Sequence, residues 1–197
     1  MDRIRRPFWQ TDTAVSNSSW GYTDNQNYKS VDQLVDDLVD IVAKNGCLLL
    51  NVGPRPDGTI PQEDAEILRG IGKWLKINGE AIYGSRPWKV YGEGPAATAT
   101  GHLSEHLNKP FTAQDVRFTT NDGVLHAILR GWPDGACSFK SLARGNEHLS
   151  GGVAAVELFA TGEPLPWRQS EEPLIVGLPD EAPGEHPHVL AIELAQE

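Results

Sequence analysis

Positive charge is scarce in this sequence. Lysine and arginine number 17 against 27 aspartates and glutamates, so the formal net charge at pH 7 is −10. Nucleic-acid binding needs a clustered basic face, and the one basic cluster, "RIRR" at residues 3–6, is more simply a solvated chain end. The composition therefore predicts no nucleic-acid partner.

Cysteine is almost absent. The two residues present, Cys47 and Cys137, are too few for the disulfide framework of a small secreted domain. Because Cys47 lies inside an apolar run, we expect two buried free thiols, with a single bridge between them as the alternative.

Long hydrophobic runs are also missing. A membrane span needs about 20 consecutive apolar residues, which this chain does not contain, and no signal peptide is visible after Met1. We expect no membrane partner, and cytoplasmic, periplasmic and secreted locations are all compatible with the sequence. The hydrophobic fraction of 39% is that of an ordinary globular protein.

The first half of the chain alternates helix and strand patterns. Residues 30–46 place apolar residues at helical spacing and begin with a capping-box pattern at Ser30 and Gln33. Residues 47–52, "CLLLNV", follow as an unbroken apolar run, typical of a parallel strand buried on both faces. A second helix is predicted to begin at Pro61 and end near Gly79, with one apolar side made of Ala65, Leu68, Ile71, Trp74 and Leu75.

A parallel strand covered on both faces needs parallel neighbours. The first half offers one further strand candidate, around Trp9–Val15. The other flanking strands are therefore expected upstream, which makes this chain the tail of a larger protein.

The second half has an all-β pattern. The chain divides near Trp88–Gly94, and turn sequences then separate short strand-like runs, which favours an antiparallel sandwich. The predicted strands are Asp115–Thr120, Val124–Leu129, Cys137–Leu142, Val153–Phe159, Leu174–Val176 and His188–Leu194.

Four motifs in register resemble bacterial α-L-fucosidases of glycoside hydrolase family 29. They are "WQTDTAVSNSSWGY" at 9–22, "LVDIVAKNGCLLLNVGPRPDGTIP" at 38–61, "IGKWLKINGEAIYGSRPW" at 71–88 and "FTAQDVRFTTNDGVLHAILRGWP" at 111–133. The resemblance implies a (β/α)8 barrel followed by a β-sandwich. Since a complete barrel takes about 250 residues, residues 1–90 would hold only its last βα units, and residues 91–197 would form the sandwich.

The resemblance also implies retaining hydrolysis of terminal α-L-fucose from glycoconjugates, without a cofactor or metal. Such enzymes use two carboxylates about 5–5.5 Å apart. The family's aspartate nucleophile belongs to a middle barrel strand, which is expected upstream of this chain. Gln10 occupies the position at which some members carry the glutamate of a "WE" pair, and Asp12 is the only nearby carboxylate. Asp12 is either the candidate catalytic residue or an acceptor of hydrogen bonds from loop backbone or an upstream side chain, in which case the general acid comes from upstream.

The same resemblance marks substrate contacts. Trp20, the first residue of "WGY", is the candidate for packing against the sugar and its C6 methyl group, or else it plugs the barrel end. Asn51 ends the buried strand at the edge where barrel active sites gather; it either faces the sugar pocket or ties down the loop "GPRPDG". Trp9 and Tyr22 are interpreted as packing residues, and Glu80 as a capping or domain-interface residue.

Histidine pairs give no metal-site pattern. His102 and His106 lack the glutamate placement of zinc proteases, and His186 with His188 lacks further ligands.

The alternative function is a non-catalytic protein whose sandwich binds glycans. Exposed aromatic residues on a sandwich face would mark it, and Trp132 and Trp167 are the candidates.

Overall fold

A computed structural model describes residues 3–96, 111–184 and 187–195; His102, His106 and His186 therefore lie outside the described residues. The α/β part comprises β1 (Trp9–Ala14), α1 (Val31–Ala43), β2 (Gly46–Asn51), α2 (Gln62–Asn78) and a 3-10 turn (Gly79–Ala81). The β part comprises β3 (Arg86–Glu93), β4 (Val116–Asn121), β5 (Val124–Leu129), β6 (Ala136–Phe139), a 3-10 turn (Lys140–Leu142), β7 (Val153–Leu158), β8 (Glu163–Pro164), β9 (Trp167–Arg168), β10 (Leu174–Gly177) and β11 (His188–Leu194).

The predicted parallel pairing is confirmed. β1 and β2 pair in parallel from Trp9 opposite Gly46 to Ala14 opposite Asn51, and α1 connects them. α1 begins at the predicted cap, where the Ser30 hydroxyl accepts the Gln33 N–H at 3.1 Å. Such a cap satisfies one of the backbone donors that a helix start leaves unpaired.

The two faces of this small sheet differ. A side chain at Gly46 would lie 2.8 Å from Ile41 of α1, so the face shared by Trp9, Thr11 and Thr13 points toward the helix. Alternation along the strands places the opposite set on a helix-free face: Gln10, Asp12, Ala14, Cys47, Leu49 and Asn51. Leu49 is 53% exposed there. Within the described residues, α1 therefore covers one face of the strand only, in keeping with the expectation that its other neighbours lie outside this sequence.

The second half contains two antiparallel sheets, as predicted. The order is β3-β4-β5-β11-β7-β8 in the larger sheet and β6-β10-β9 in the smaller one. Residues from both sheets share one hydrophobic core, in which Phe118 of β4 and Phe139 of β6 meet edge to face at 5.9 Å. Face-to-face packing of this kind defines a β-sandwich.

Two details of the sandwich differ from the sequence prediction. The strand expected at Cys137–Leu142 ends at Phe139, because Glu93 accepts the N–H groups of Lys140 (2.8 Å) and Ser141 (2.7 Å) and the chain turns there. Strands β3, β8 and β9 were not predicted. β3 pairs with β4, so the expected division between residues 90 and 91 falls inside a strand of the larger sheet.

The helices pack against the larger sheet of the sandwich. Val35 and Val39 of α1 and Trp74 of α2 form a buried cluster with Ile128 of β5 and Val189 of β11. The Trp74 indole N–H also donates to the Pro187 carbonyl at 2.7 Å. The predicted apolar side of α2 is buried only in part, since Leu68 is 40% exposed while Trp74 is 3% exposed.

Buried ion pairs cross the same interface. Asp40 of α1 lies 2.6 Å from Arg117 of β4 and 2.7 Å from Lys44, and all three side chains are at most 7% exposed. One turn earlier on α1, Asp36 pairs with Arg130. Burial raises the pKa of Asp40, but the positive charges of Arg117 and Lys44 outweigh it and hold that pKa below its ordinary value.

Both cysteines are free thiols. Cys137 is buried, and burial raises its pKa to about 12, whereas Cys47 is partly exposed on the helix-free face. The expected burial of Cys47 is therefore wrong, for the same reason that Leu49 is exposed.

Within the described residues, no helix combines the length and apolar character of a membrane span.

Candidate functional site

Two loops follow the carboxyl ends of β1 and β2. Residues 15–30 lead from β1 to α1, and residues 52–61 lead from β2 to α2. Because parallel strands end at one edge of a sheet, the loops lie side by side. This edge is where α/β enzymes place their ligands.

The first loop folds back on itself through Ser16. The Ser16 hydroxyl accepts the N–H groups of Ser18 (2.9 Å) and Ser19 (3.3 Å) and donates to the Gln26 side chain at 3.0 Å. Backbone bonds close the base of the loop, with Asn17 donating to the Asn27 carbonyl at 2.7 Å. This bonding gives the loop a defined shape.

Trp20 lies at the tip of this loop and is 47% exposed. Its carbonyl accepts a hydrogen bond from the Asn51 side chain at 2.7 Å. Asn51 thus holds the loop that carries Trp20, rather than the following loop "GPRPDG". The structure brings two of the predicted site residues into direct contact.

The second loop packs against the first at Gly53. A Cβ atom at Gly53 would lie 3.0 Å from the Tyr22 nitrogen and 3.1 Å from the Gly21 carbonyl carbon, which is tighter than ordinary packing. The Gly53 N–H donates to the buried Asp64 carboxylate at 3.2 Å, and the Arg55 guanidinium lies 5.7 Å from the centre of the Tyr22 ring. Glycine, which has no side chain, permits this close backbone approach.

Tyr28 and Asp64 also hold the two loops in place. Tyr28 forms an isolated antiparallel bridge with Ser16. Burial together with the nearby carboxylate of Asp64 raises the pKa of Tyr28 to about 12. Sequence reasoning missed Ser16, Gly53 and Asp64, because their contacts depend on how the two loops pack.

Asp12 lies on the helix-free face, opposite Leu49 in the strand register. Asp12 is exposed. It lies two residues before Ala14, which pairs with Asn51 at the end of the strands, and two residues span about 6.6 Å along a strand. It is the one carboxylate among the six side chains of this face. β1 and β2 themselves therefore bring one acid, not two, to this face of the sheet.

The remaining predicted residues have structural contacts. Trp9 donates its indole N–H to the Lys44 carbonyl at 3.0 Å and covers Gly46, at the end of β1 away from the loops. The Tyr22 hydroxyl donates to Asp24 at 3.2 Å. The Glu80 carbonyl accepts from the Asn121 side chain at 2.9 Å, which joins the 3-10 turn to the sandwich.

Neither a metal site nor an aromatic binding face stands out in the described residues. No group of three or more histidine, cysteine, aspartate or glutamate side chains is placed to hold a metal ion in residues 3–96, 111–184 and 187–195. Trp132 packs edge to face on His188 and donates to the Pro179 carbonyl at 3.0 Å, so it anchors a turn. Trp167 is 37% exposed and is the remaining candidate for glycan binding by the sandwich.

Sequence comparisons relate the chain to α-L-fucosidases. The family model for α-L-fucosidase matches residues 1–80. Tissue α-L-fucosidase of Rattus norvegicus is 33% identical, with 91% of this chain and 35% of the relative covered. Plasma α-L-fucosidase of Homo sapiens is 32% identical, with 83% and 32% covered. The chain spans about a third of the length of the curated relatives it matches.

Structural comparison gives the same relationship. Thermotoga maritima α-fucosidase, solved in complex with fucose, matches with a TM-score of 0.75 at 33% identity, covering 95% of this chain and 40% of that one. α-L-Fucosidase isoenzyme 1 from Paenibacillus thiaminolyticus matches with a TM-score of 0.72 at 25% identity, covering 96% of this chain and 40% of that one.

Proposed function

We propose that this member of the α-L-fucosidase family, glycoside hydrolase family 29, forms the C-terminal portion of a retaining α-L-fucosidase. The substrate would be terminal α-L-fucose on glycoconjugates. The contact between Asn51 and Trp20 at the carboxyl edge of two parallel strands carries this proposal. It holds an exposed aromatic residue where a barrel enzyme binds its substrate.

The proposed organisation is the end of a (β/α)8 barrel followed by a β-sandwich. β1, α1, β2 and α2 are consistent with two consecutive βα units. We place the division between Ser85 and Arg86 rather than after residue 90, because β3 pairs with β4 of the sandwich.

The proposed role in catalysis is to build one wall of the fucose pocket. The flat face of Trp20 would pack against the apolar side of the sugar and its methyl group, while polar groups bind the hydroxyls. Retaining cleavage needs two carboxylates about 5–5.5 Å apart, one as nucleophile and one as general acid. Since Asp12 is the only carboxylate among the strand side chains of the helix-free face, the nucleophile would come from residues that precede this chain.

The first test is turnover of 4-nitrophenyl α-L-fucoside by the purified chain. We expect none above a buffer control, because half of the catalytic pair is missing. Turnover that Asp12→Asn abolishes would contradict this expectation and would make Asp12 catalytic.

The second arm uses a longer polypeptide. The DNA upstream of the Met1 codon should continue in frame into strands that carry an aspartate nucleophile, and its product should hydrolyse the same substrate. There Trp20→Ala should lower kcat/KM about tenfold, as expected when an aromatic contact worth about 1.4 kcal/mol is removed. The matched Trp167→Ala variant should leave kcat/KM unchanged, and an equal loss in both variants would argue against a pocket at Trp20.

A further inference from the structure

The Gln26 side chain bonds to three separate points of the first loop. Its Oε1 atom accepts hydrogen bonds from the hydroxyls of Thr23 at 2.9 Å and Ser16 at 3.0 Å. Its Nε2 group donates to the Gly21 carbonyl at 3.2 Å. These three points lie before, at and after the loop tip that carries Trp20. One half-buried amide therefore joins both arms of the loop.

The chemistry of this side chain fits its three bonds. A carboxamide carries an acceptor oxygen and a donor nitrogen at the same end. A carboxylate at this position would lack the donor for the Gly21 carbonyl, and an ammonium would lack the acceptor for the two hydroxyls. Since all three partners of Gln26 lie within residues 16–23, its bonds shape the loop rather than attach the loop to the sheet.

The backbone on both sides of Trp20 is hydrogen-bonded. Before it, the Ser16 hydroxyl accepts two backbone N–H groups. At Trp20 itself, the carbonyl accepts from the Asn51 side chain at 2.7 Å. After it, the Gly21 carbonyl accepts from Gln26. Once its backbone is held, an aromatic side chain keeps only two torsion angles of freedom, so Gln26 and Asn51 together limit where the ring can stand.

From these contacts we propose that Gln26 is a positioning residue for Trp20 and, through that ring, for the binding and turnover of the fucoside. This inference rests on the function proposed above, in which Trp20 packs against the sugar. Gln26 acts by holding the carbonyl next to Trp20 at a fixed place between the two arms of the loop. Because small displacements of a substrate-positioning group lower turnover, a brace on this loop contributes to the rate without belonging to the catalytic pair.

The test is a double-mutant cycle in the longer polypeptide, read out by turnover of 4-nitrophenyl α-L-fucoside. Gln26→Leu keeps much of the side-chain volume but none of the three bonds, and it should lower kcat/KM about fivefold to tenfold. In a Trp20→Ala background the same change should lower kcat/KM less than about twofold, because the ring that Gln26 positions is already gone. Gln62→Leu is the matched control, since the Gln62 amide donates to Glu66 on α2 at 2.7 Å, and it should leave kcat/KM unchanged.

Hydrogen exchange of this chain gives a second readout that does not depend on activity. The N–H groups of Ser18, Ser19 and Gly21 donate to hydroxyls within the loop. Gln26→Leu should raise the exchange rate of these amides at least about tenfold, because the loop opens when its brace is lost. The amides of β5 should exchange at the wild-type rate, and the control variant should change neither region.

An equal loss of kcat/KM with and without the Trp20 ring would overturn the positioning role, since the effect of Gln26 would then not pass through that ring. No loss in either background would also overturn it, as would loop amides that exchange at the wild-type rate in Gln26→Leu. If Gln26→Leu opens the loop but the longer polypeptide does not hydrolyse the fucoside, Gln26 still holds the Trp20 loop and it is the proposed function that fails.

Discussion

Replacing Asp40 with alanine should lower the free energy of unfolding by about 3–5 kcal/mol, as expected when one partner of a buried ion pair is removed. The variant would leave Arg117 and Lys44 in an interior where they are 2% and 1% exposed, without the carboxylate that both contact. Most of the loss therefore arises from the two buried cations that lose this carboxylate.

Urea unfolding followed by circular dichroism measures this loss. Glu66→Ala is the control, because Glu66 is an exposed carboxylate on α2 that accepts one bond from Gln62, and it should change stability by less than about 0.5 kcal/mol. A loss below about 1 kcal/mol for Asp40→Ala would mean that the pair contributes no more than a surface contact.

The same variant should alter the pH dependence of stability. Because the pKa of Asp40 is depressed in the folded protein, the stabilisation is fully present above the ordinary aspartate value of about 3.9. It is lost as the pH falls through the lower folded value. The difference in stability between wild type and Asp40→Ala should therefore shrink below about pH 4.

Residues 1–85 without the sandwich should not fold. Their helices would lose Ile128 and Val189 from the buried cluster, and Asp36 and Asp40 would lose both arginine partners. The two-stranded sheet cannot compensate, since no helix covers its other face in the described part of the chain. The free energy lost with the apolar cover and the charge partners together exceeds the total stability of about 5–15 kcal/mol that a domain has.

Thermal melting of two separate fragments measures this dependence. Residues 1–85 should show no cooperative transition, while residues 86–197 should melt cooperatively, because the sandwich core from Trp88 to Ile192 is self-contained. Cooperative melting of residues 1–85 alone would show that the α/β unit is independent of the sandwich.

Local patterns were sufficient to predict most of the fold. The apolar stripe and the Ser30 cap predicted α1, and alternating runs bounded by turns predicted six strands of the sandwich. Strand β3 was missed because "RPWKVYGE" has a proline at its second position and reaches Gly92, where a Cβ atom would lie 2.2 Å from the Val116 carbonyl oxygen. Pairing across a sequence gap, rather than local propensity, makes that segment a strand.

The buried ion pairs could not be predicted from the sequence, because they too depend on contacts between distant parts of the chain. Asp36 and Asp40 lie one turn apart on α1, which is also the pattern of a solvated helix face. The arginine partner of Asp36 lies 94 positions away along the chain, and that of Asp40 lies 77 positions away. At the candidate site, the motif located Trp20 and Asn51 but not the bond between them, because that bond depends on how two loops pack.

Hydrogen exchange of the isolated chain, measured by mass spectrometry, tests most directly whether the β1–β2 sheet is an unfinished part of a larger sheet. The account predicts that amides of residues 9–14 and 46–51 exchange at least about a hundredfold faster than those of β5 and β11, which are paired on both edges. Equal protection of β1, β2, β5 and β11 would show that this chain covers its own strands, and would contradict the account.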